Sequence, residues 1–376
     1  MFEYIDSPAD VPNNIRILLI LFEVIITIVS FKYVKKHYLD YIKDNNIFIC
    51  VLIFLFTFFA ISYCITNDYY AYRHRISIAD IGGKMEFVPQ TIAYFVNGNY
   101  DLFRAIIFGG AILCVVTCSK IIKANVVLVL LLWFTFYYDR TFYARATLAA
   151  AVYFTGIFIA SQNKVTYTVL GVIIALCSFF FHRQMLIAIA AIPALFVKIN
   201  KKNLFPLAVL FLGIASIAVV SALANSSLFM NADDDGMIAE KIDSYVDSTQ
   251  NGYFMRFTAI GFVQLVFQYF FYYSPIIVIT KSIFFRNNQS AVSPSLLKVY
   301  NVLIVLVGFA TVFFLVLGQN NTFFYRTLYL SFIPCSILLT KLYYDAIVTQ
   351  KDLHRVMIYS LVFHGSSWLA SLFKIL

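Results

Sequence analysis

The chain has 376 residues, of which 61% are hydrophobic and only 12% are charged, and its mean hydropathy is +0.83. This much apolar surface exceeds what a water-soluble core of ordinary proportions can hold, which excludes an ordinary soluble domain and indicates lipid as the solvent. The formal charge of +9 does not indicate nucleic acid, because the basic residues sit at predicted helix ends and in short loops rather than along one soluble face.

Apolar runs long enough to cross about 30 Å of hydrocarbon recur along the whole sequence. They predict a single integral membrane domain, residues 1–376, folded as an all-α polytopic transmembrane bundle of about twelve spans, with a range of about ten to thirteen. The predicted spans are 15–31, 47–66, 104–118, 125–138, 144–160, 166–182, 184–197, 204–224, 256–280, 299–318, 327–347 and 356–373. Acidic residues before the first run argue against a cleaved signal peptide, so we expect that run to remain as an anchor.

Lysines set the expected orientation of these spans. The lysines of 32–43 follow the first span and the acidic N-terminus precedes it, so the positive-inside rule places the N-terminus on the non-cytoplasmic side. If the spans alternate, every lysine except Lys84, Lys241 and Lys374 falls on the cytoplasmic side. The loops therefore agree independently on one orientation.

Arginines show the opposite distribution. All of them except Arg286 and Arg355 fall at or near the predicted outer face. The guanidinium group presents a planar fork of donors suited to bidentate contacts with phosphate or carboxylate, so an outer arginine cluster indicates an anionic ligand. Pairing with outer acidic residues and lipid headgroups remains the alternative for any single arginine.

Two predicted outer loops are long enough to have structure of their own. The loop at about 67–103 mixes aromatic, charged and apolar residues in a way that suits short interfacial helices. The loop at about 225–255 is acidic and is interpreted as a solvated face or lid. It lacks the alternating ligands and glycine spacing of a calcium loop, so we expect no metal site and no cofactor.

Four polar clusters lie at the outer ends of the predicted spans and contain most of the residues that could carry chemistry. Their aromatic faces, carboxylates and guanidinium groups suit a sugar ligand, although an interfacial tyrosine belt explains the tyrosines equally well. His182 suits a general base, or else it is a plain interfacial residue. The candidates in these clusters are Asp68, Tyr69, Tyr72, Arg73, Arg75, Asp139, Arg140, Arg145, His182, Arg183 and Arg326.

Several short motifs occur in a characteristic order and on one predicted face. They are D-Y-x-x-Y at 68–72, Glu86 in the first outer loop, R-A-x-x-A-A-A from Arg145, F-H-R-Q-M-L-I at 181–187 and Y-R at 325–326. This pattern resembles the EpsG-type members of the Wzy-like polysaccharide polymerases, multi-span proteins that extend O-antigen, capsule or exopolysaccharide chains. The sequence departs from the family where Arg183 and Gln184 replace a small hydroxyl residue and Phe87 follows Glu86 in place of proline.

The resemblance implies a metal-independent glycosyl transfer between undecaprenyl-diphosphate-linked glycans at the outer face of the bacterial cytoplasmic membrane. It implies that arginines hold the departing diphosphate, with Arg145, Arg326 and either Arg73 or Arg140 as the candidates. Either His182 or Asp68 would take the acceptor proton, and Glu86 would contact the sugar or serve as an alternative base. The family also suggests a chain-length regulator of the polysaccharide co-polymerase type as a partner.

Two other functions stay open at this point. A related ligase would use the same arginines to transfer a finished polymer to lipid A core of lipopolysaccharide or to another acceptor. A flippase or another transporter of lipid-linked glycans is favoured by the many spans and by Glu23, an ionisable residue inside the first span. A purely structural subunit leaves the outer arginines unexplained.

Overall fold

A computed structural model describes residues 12–36, 46–62, 72–74, 76, 86–137, 144–197, 271, 273–286, 289–317 and 322–373. Within these ranges, the side chains of 137, 144, 312–317, 322–327 and 366–373 lie outside the described part. The described residues form helices joined by turns and short connections, and no strand occurs among them. This confirms the all-α class expected from the sequence.

The helices follow the apolar runs closely. In chain order they are α1 (Asn13–Lys36), α2 (Asn46–Ser62), α3 (Phe87–Phe95), α4 (Tyr100–Ile121), α5 (Val126–Tyr137), α6 (Ala144–Ala160), α7 (Val165–Cys177), α8 (Met185–Ile189), α9 (Tyr273–Phe285), α10 (Pro294–Leu317), α11 (Thr322–Tyr344) and α12 (Gln350–Phe373). Short 3₁₀ segments lie at Ser178–Phe180, Ile192–Phe196 and Gln289–Ala291, and the last turn of α9 is a π-helix at Lys281–Phe285. By length and composition, three described segments can cross a membrane: Asn13–Lys35, Tyr100–Ile121 and Pro294–Thr311.

The interval 184–197, predicted as one span, is not a continuous α-helix. It consists of the five-residue α8 followed by the 3₁₀ segment Ile192–Phe196. Pro193 lies in the first positions of that segment, where its missing N–H and fixed φ interrupt the α-helical hydrogen bonding. The interval 204–224 lies outside the described residues, as does the acidic loop at about 225–255.

Local signals explain where several helices begin and end. The Asn99 side chain caps α4 by accepting a hydrogen bond from the Leu102 N–H at 3.0 Å. The Thr349 hydroxyl does the same for α12 and accepts from the Asp352 N–H at 3.2 Å. After α3 the chain turns through Asn97 and Gly98, which have positive φ angles of 47° and 82°.

The short helix α5 forms the centre of the bundle. Every residue from Val126 to Phe136 is buried, and α5 packs against α1, α2, α4, α11 and α12. Hydroxyl groups join the helices inside this apolar core, since Ser30 Oγ on α1 lies 3.2 Å from Thr135 Oγ1, and Ser360 Oγ on α12 donates to the Thr135 carbonyl at 3.0 Å. Small polar residues at contacts between helices are typical of bundles that fold in lipid.

The outer surface of the bundle is apolar as well. On α1 the exposed residues include Leu18, Leu21, Ile25 and Ile28, which repeat with helical spacing and are 49–63% exposed. Similar apolar stripes lie on α2, α7 and α12. A surface with such extended apolar stripes does not suit water, which agrees with helices able to span a membrane.

Helices α6 and α7 form a hairpin with a seam of small residues. A Cβ atom added to Gly156 would lie 2.4 Å from the Gly171 carbonyl oxygen, and one added to Gly171 would lie 2.3 Å from the Ala160 backbone nitrogen. Ala175 completes the seam, one helical turn after Gly171. Glycine at both positions therefore permits the two backbones to approach this closely.

The contacts between helices collect the described parts of the predicted cytoplasmic loops at one end of the bundle, which we name the lysine end. It contains the last turns of α1 and α11, the end of α9, the starts of α5, α10 and α12, and the connection between α6 and α7. The hydrogen bonds and ion pairs that join these parts are Tyr33 to Asn125 at 3.4 Å, Tyr343 to Val34 at 3.0 Å, Lys298 to Asn163 at 3.2 Å and Arg286 to Asp352 at 2.7 Å. The opposite end, where α6 begins and α7 finishes, is named the site end.

Candidate active site

At the site end, Arg145 lies between a carboxylate and a phenol that come from distant parts of the sequence. Its Nη1 forms an ion pair with Glu86 Oε2, and its Nη2 donates a hydrogen bond to the hydroxyl of Tyr72. The guanidinium carbon also lies 4.7 Å from the centroid of the Tyr72 ring, a cation–π distance. These contacts hold the guanidinium plane in one orientation.

Glu86 is the residue directly before α3, and its carboxylate has two partners. Oε2 pairs with Arg145, and Oε1 accepts the backbone N–H of Arg183 at 3.3 Å. Burial alone would raise the pKa of the Glu86 carboxyl, but Arg145, the protonated form of His182 and two backbone N–H groups favour the charged form and hold its pKa below the ordinary value. Glu86 is therefore a carboxylate at neutral pH and a weak base.

His182 and Arg183 follow the 3₁₀ segment that ends α7. His182 Nδ1 accepts a hydrogen bond from the backbone N–H of Gln184 at 3.2 Å. An accepting Nδ1 belongs to the neutral imidazole that carries its proton on Nε2, so in this arrangement Nε2–H is a donor. The Arg183 side chain is exposed, while its backbone joins Glu86.

The hairpin of α6 and α7 explains how residues so far apart in sequence meet. Arg145 is in the first turn of α6, and His182 comes just after α7. Because the glycine seam packs the two helices antiparallel, the start of α6 and the end of α7 lie at the same end of the bundle. We name the group formed by Tyr72, Glu86, Arg145, His182 and Arg183 the Arg145 cluster.

The Arg145 cluster carries net positive charge at a partly accessible position. The guanidinium group of Arg145 is paired with the carboxylate of Glu86, and Arg183, whose backbone contacts Glu86, adds a second arginine with an exposed side chain. The side chains of Arg145 and Glu86 are 15% and 11% exposed, so the pair is largely but not completely removed from solvent. Arginines oriented by a neighbouring carboxylate at such a site suit an anionic ligand such as a phosphate.

No known protein family, curated protein or solved structure matches the chain.

The structure brings together five of the predicted site residues and leaves others untested. Arg73 follows Tyr72 in the chain and is half-buried. Arg326 lies in α11, and its side chain is outside the described part. The predicted site residues that lie wholly outside the described residues are Asp68, Tyr69, Arg75, Asp139 and Arg140.

Arg104 corrects one inference drawn from the arginine distribution. The sequence grouped it with the outer arginines that favour an anionic ligand, but its side chain is buried in the first turns of α4. Its Nε donates to the Ala60 carbonyl at 3.1 Å and its Nη1 to the Tyr100 hydroxyl at 3.3 Å, and the group lies 5.2 Å from the ring centroid of Phe108. Arg104 thus stabilises the carbonyl end of α2, where a cation is favoured.

Two features of the site were missed by the sequence prediction. The pairing of Glu86 with Arg145 joins positions 59 residues apart and has no periodic signature in the sequence. Gln184 was noted only as a departure from the family pattern, yet it is 8% exposed and its amide oxygen and nitrogen are buried without a hydrogen-bond partner. A glutamine at the end of an apolar helix gives no signal that distinguishes a buried amide from a solvated one.

Proposed function

We propose that the chain is a bacterial polysaccharide polymerase that joins undecaprenyl-diphosphate-linked repeat units at the non-cytoplasmic face of the cytoplasmic membrane. The observation that carries this proposal is the Arg145 cluster, in which an oriented guanidinium group and an exposed second arginine lie together at one end of an apolar bundle. The motif resemblance names Tyr72, Glu86, Arg145 and His182 of this cluster, whereas Arg183 departs from the family pattern. A diphosphate leaving group is the anion that such a site would stabilise.

The proposal includes the membrane arrangement. About twelve spans would cross the bilayer, with the N-terminus non-cytoplasmic, the lysine end in the cytoplasm and the site end outside. The exposed aromatic residues of α3, which include Phe87, Tyr94 and Phe95, would then lie at the outer interface beside the site. Aromatic side chains favour that interface, which supports placing α3 there.

The chemistry follows from the charges of the cluster. A hydroxyl group of the incoming repeat unit attacks the anomeric carbon of the growing chain, and the bond from that carbon to the diphosphate breaks. Undecaprenyl diphosphate leaves with the electron pair, and a base takes the hydroxyl proton. Arg145 and Arg183 stabilise the charge that develops on the departing diphosphate, as donors fixed before the reaction do in other transferases.

The contacts of Glu86 and His182 bear on two of the three base candidates. Glu86 is paired with Arg145 and has a lowered pKa, so we propose that it positions the guanidinium group rather than accepting a proton. His182 has Nδ1 occupied by the Gln184 N–H, so we propose that its Nε2–H donates to substrate oxygen. Asp68 remains the proposed base from the motif resemblance, and it lies outside the described residues.

The test is a polymer assay in a strain that lacks its own copy of the gene. Arg145→Ala should abolish the polymer ladder on a gel while the protein still inserts, and Arg145→Lys should restore little, because an ammonium group cannot contact Glu86, Tyr72 and diphosphate with one planar fork. Arg355→Ala is the matched control, since that side chain is 51% exposed at the lysine end. A normal ladder from Arg145→Ala would remove Arg145 from the mechanism.

Substitutions also test the assignment of the base. Asp68→Asn should lose the ladder completely, whereas His182→Ala should retain weak polymer formation because a donor is removed and the base remains. Expression of each variant is measured in the same membranes. Equal and complete activity in both variants would show that neither residue takes part.

One observation favours transport as a second candidate. Glu23 is 3% exposed in the middle of α1, where an ionisable group is costly and commonly functional. Reconstituted vesicles separate the two functions, because only a transferase releases undecaprenyl diphosphate from paired lipid-linked units. Movement of lipid-linked glycan across the bilayer without such release would favour the transporter, and loss of that movement in Glu23→Gln would assign it to this residue.

A further inference from the structure

Gln184 directly follows Arg183 of the Arg145 cluster in the chain, and its side-chain amide is buried. The side chain is 8% exposed, and neither its oxygen nor its nitrogen has a hydrogen-bond partner. Buried polar groups almost always have a hydrogen-bond partner. An unpaired one destabilises the fold, because it has lost its hydrogen bonds to water without gaining others. An unpaired amide in a residue bonded to the cluster can therefore pair with a ligand group once the atoms that cover it move aside.

The backbone of Gln184 and of the residue before it is hydrogen-bonded to the cluster. Its N–H donates to His182 Nδ1 at 3.2 Å, and the preceding N–H, of Arg183, donates to Glu86 Oε1 at 3.3 Å. The following residue, Met185, is fully buried, and the hydroxyl of Tyr153 binds the Ala188 carbonyl at 2.5 Å, which fixes α8 against α6. Gln184 is thus held on a fixed backbone between the cluster and the packed core.

We infer that Gln184 is a specificity-determining residue that binds a neighbouring donor and acceptor pair on the saccharide of the lipid-linked substrate. This inference rests on the proposed function and names a part of the substrate that the arginines do not contact. A primary amide offers one acceptor and two donor hydrogens close together. Adjacent sugar hydroxyls, or one hydroxyl beside an acetamido group, present the complementary pair, whereas the diphosphate and the polyprenyl chain present no donor.

The contrast with Gln162 provides a matched control. Gln162 lies at the other end of the same hairpin, and its amide nitrogen already donates to the Phe158 carbonyl at 3.2 Å. Methionine has nearly the volume of glutamine and no strong hydrogen-bonding group, so Gln184→Met and Gln162→Met make the same chemical change at both ends. Only the first should alter recognition of a sugar.

The experiment measures binding of two probes to the full-length protein in lipid nanodiscs. One probe is the lipid-linked glycan extracted from cells that lack this protein, and the other is undecaprenyl diphosphate without sugar. Wild type should bind the glycan more tightly than the bare lipid. Gln184→Met should weaken glycan binding roughly tenfold or more, the loss expected when a site hydrogen-bond pair is removed, and leave the bare lipid unaffected. Gln162→Met should change neither.

Thermal unfolding without ligand separates recognition from misfolding. Removing an unpaired buried amide should keep or raise the melting temperature of Gln184→Met, so weaker glycan binding by that variant cannot be assigned to an unstable protein. Wild-type affinity for the glycan in Gln184→Met would overturn this inference alone and leave the polymerase proposal in place. Wild-type protein that binds neither probe would overturn the proposed function and this inference with it.

Discussion

The geometry of the candidate site depends most directly on the carboxylate of Glu86. Because its two oxygens bind Arg145 and the Arg183 backbone, Glu86→Gln should lower the free energy of unfolding by about 1–3 kcal/mol at pH 7. Asp345→Asn, which breaks a more exposed pair with Lys341 at the lysine end, should cost less than about 1 kcal/mol. Denaturant unfolding in detergent measures both, and equal losses would show that the Glu86 pair is only a surface ion pair.

The same carboxylate predicts a dependence of stability on pH. Its pKa in the folded protein is lower than the ordinary value of 4.5, so folding is favoured by the charged carboxylate above that value. This contribution is lost as the pH falls from about 4.5 through the folded pKa, and the stability difference between wild type and Glu86→Gln should shrink there. Unfolding measured at pH 7, 5 and 3.5 tests this. A difference that stays constant over that range contradicts the role assigned to the charge.

Substitution of Arg104 should mainly lower stability, whereas substitution of Arg145 should mainly abolish polymer formation. Arg104→Met removes the cation that bonds the last turn of α2 and should lower the melting temperature, with a cost of about 1–3 kcal/mol, because the Ala60 carbonyl is left buried without its partner. Arg145→Ala should lose polymer formation with a smaller thermal effect. Melting curves and polymer gels for the two variants distinguish them, and a stable but inactive Arg104→Met would instead place Arg104 in the site.

Residue types and their side of the bundle could be predicted from the sequence, but pairings could not. The sequence predicted Tyr72, Glu86, Arg145, His182 and Arg183 on one outer face together with further candidates such as Asp68 and Arg326. The structure brings these five together, and the further candidates stay predictions. The burial of Arg104 was not predictable, because an arginine in the first turn of an apolar helix can point to water or to a neighbouring helix. Only the arrangement of α2 beside α4 decides between these alternatives.

At the scale of elements, the α6 and α7 hairpin depends on two glycines. Alanine normally stabilises a helix interior relative to glycine by up to about 1 kcal/mol. At Gly156 and Gly171 the added Cβ meets backbone atoms within 2.5 Å, so alanine there should instead destabilise the protein by roughly 1–3 kcal/mol. Gly308→Ala on α10 is the control, since nothing lies within 4 Å of its added Cβ.

The hairpin also connects packing with activity. Gly171→Ala should displace α7 and with it His182 and Arg183, so polymer formation should fall together with the melting temperature. Gly308→Ala should leave both at or above the wild-type level. Melting curves and polymer gels on the three alanine variants give the comparison. A fully active and stable Gly171→Ala would show that the seam does not position the site.

Helix positions were largely predictable because a long apolar run has few other structures available in lipid. The predicted span 144–160 coincides with α6. The run at 184–197 forms two short helical segments rather than one α-helix, and composition alone shows neither the effect of Pro193 on hydrogen bonding nor the turn between α8 and the 3₁₀ segment. Apolar composition therefore predicts that a segment is buried in the bundle or in lipid more reliably than it predicts a complete crossing.

At the scale of the whole molecule, the proposed orientation requires the two ends of the bundle to face different compartments. Asp101 at the start of α4 and Lys164 at the start of α7 are both charged, exposed residues next to a helix N-terminus, and they lie at the site end and the lysine end respectively. In a chain whose native cysteines are replaced by serine or alanine, Asp101→Cys should react with a membrane-impermeant maleimide in intact spheroplasts. Lys164→Cys should react only after the membrane is permeabilised.

This labelling experiment bears on every functional proposal, because the proposed polymerase can join lipid-linked repeat units only where both the substrate and the Arg145 cluster are present. The positive-inside rule predicts that the lysine end faces the cytoplasm, and the helix contacts of the described residues put the Arg145 cluster at the other end, so the proposal expects the cluster outside. Labelling of both cysteines from outside would contradict the separation of the two ends. Labelling of Lys164→Cys alone from outside would show that the chain has the opposite orientation. The arginines would then face the cytoplasm, where the available anion is a cytoplasmic phosphate compound rather than an exported lipid-linked glycan.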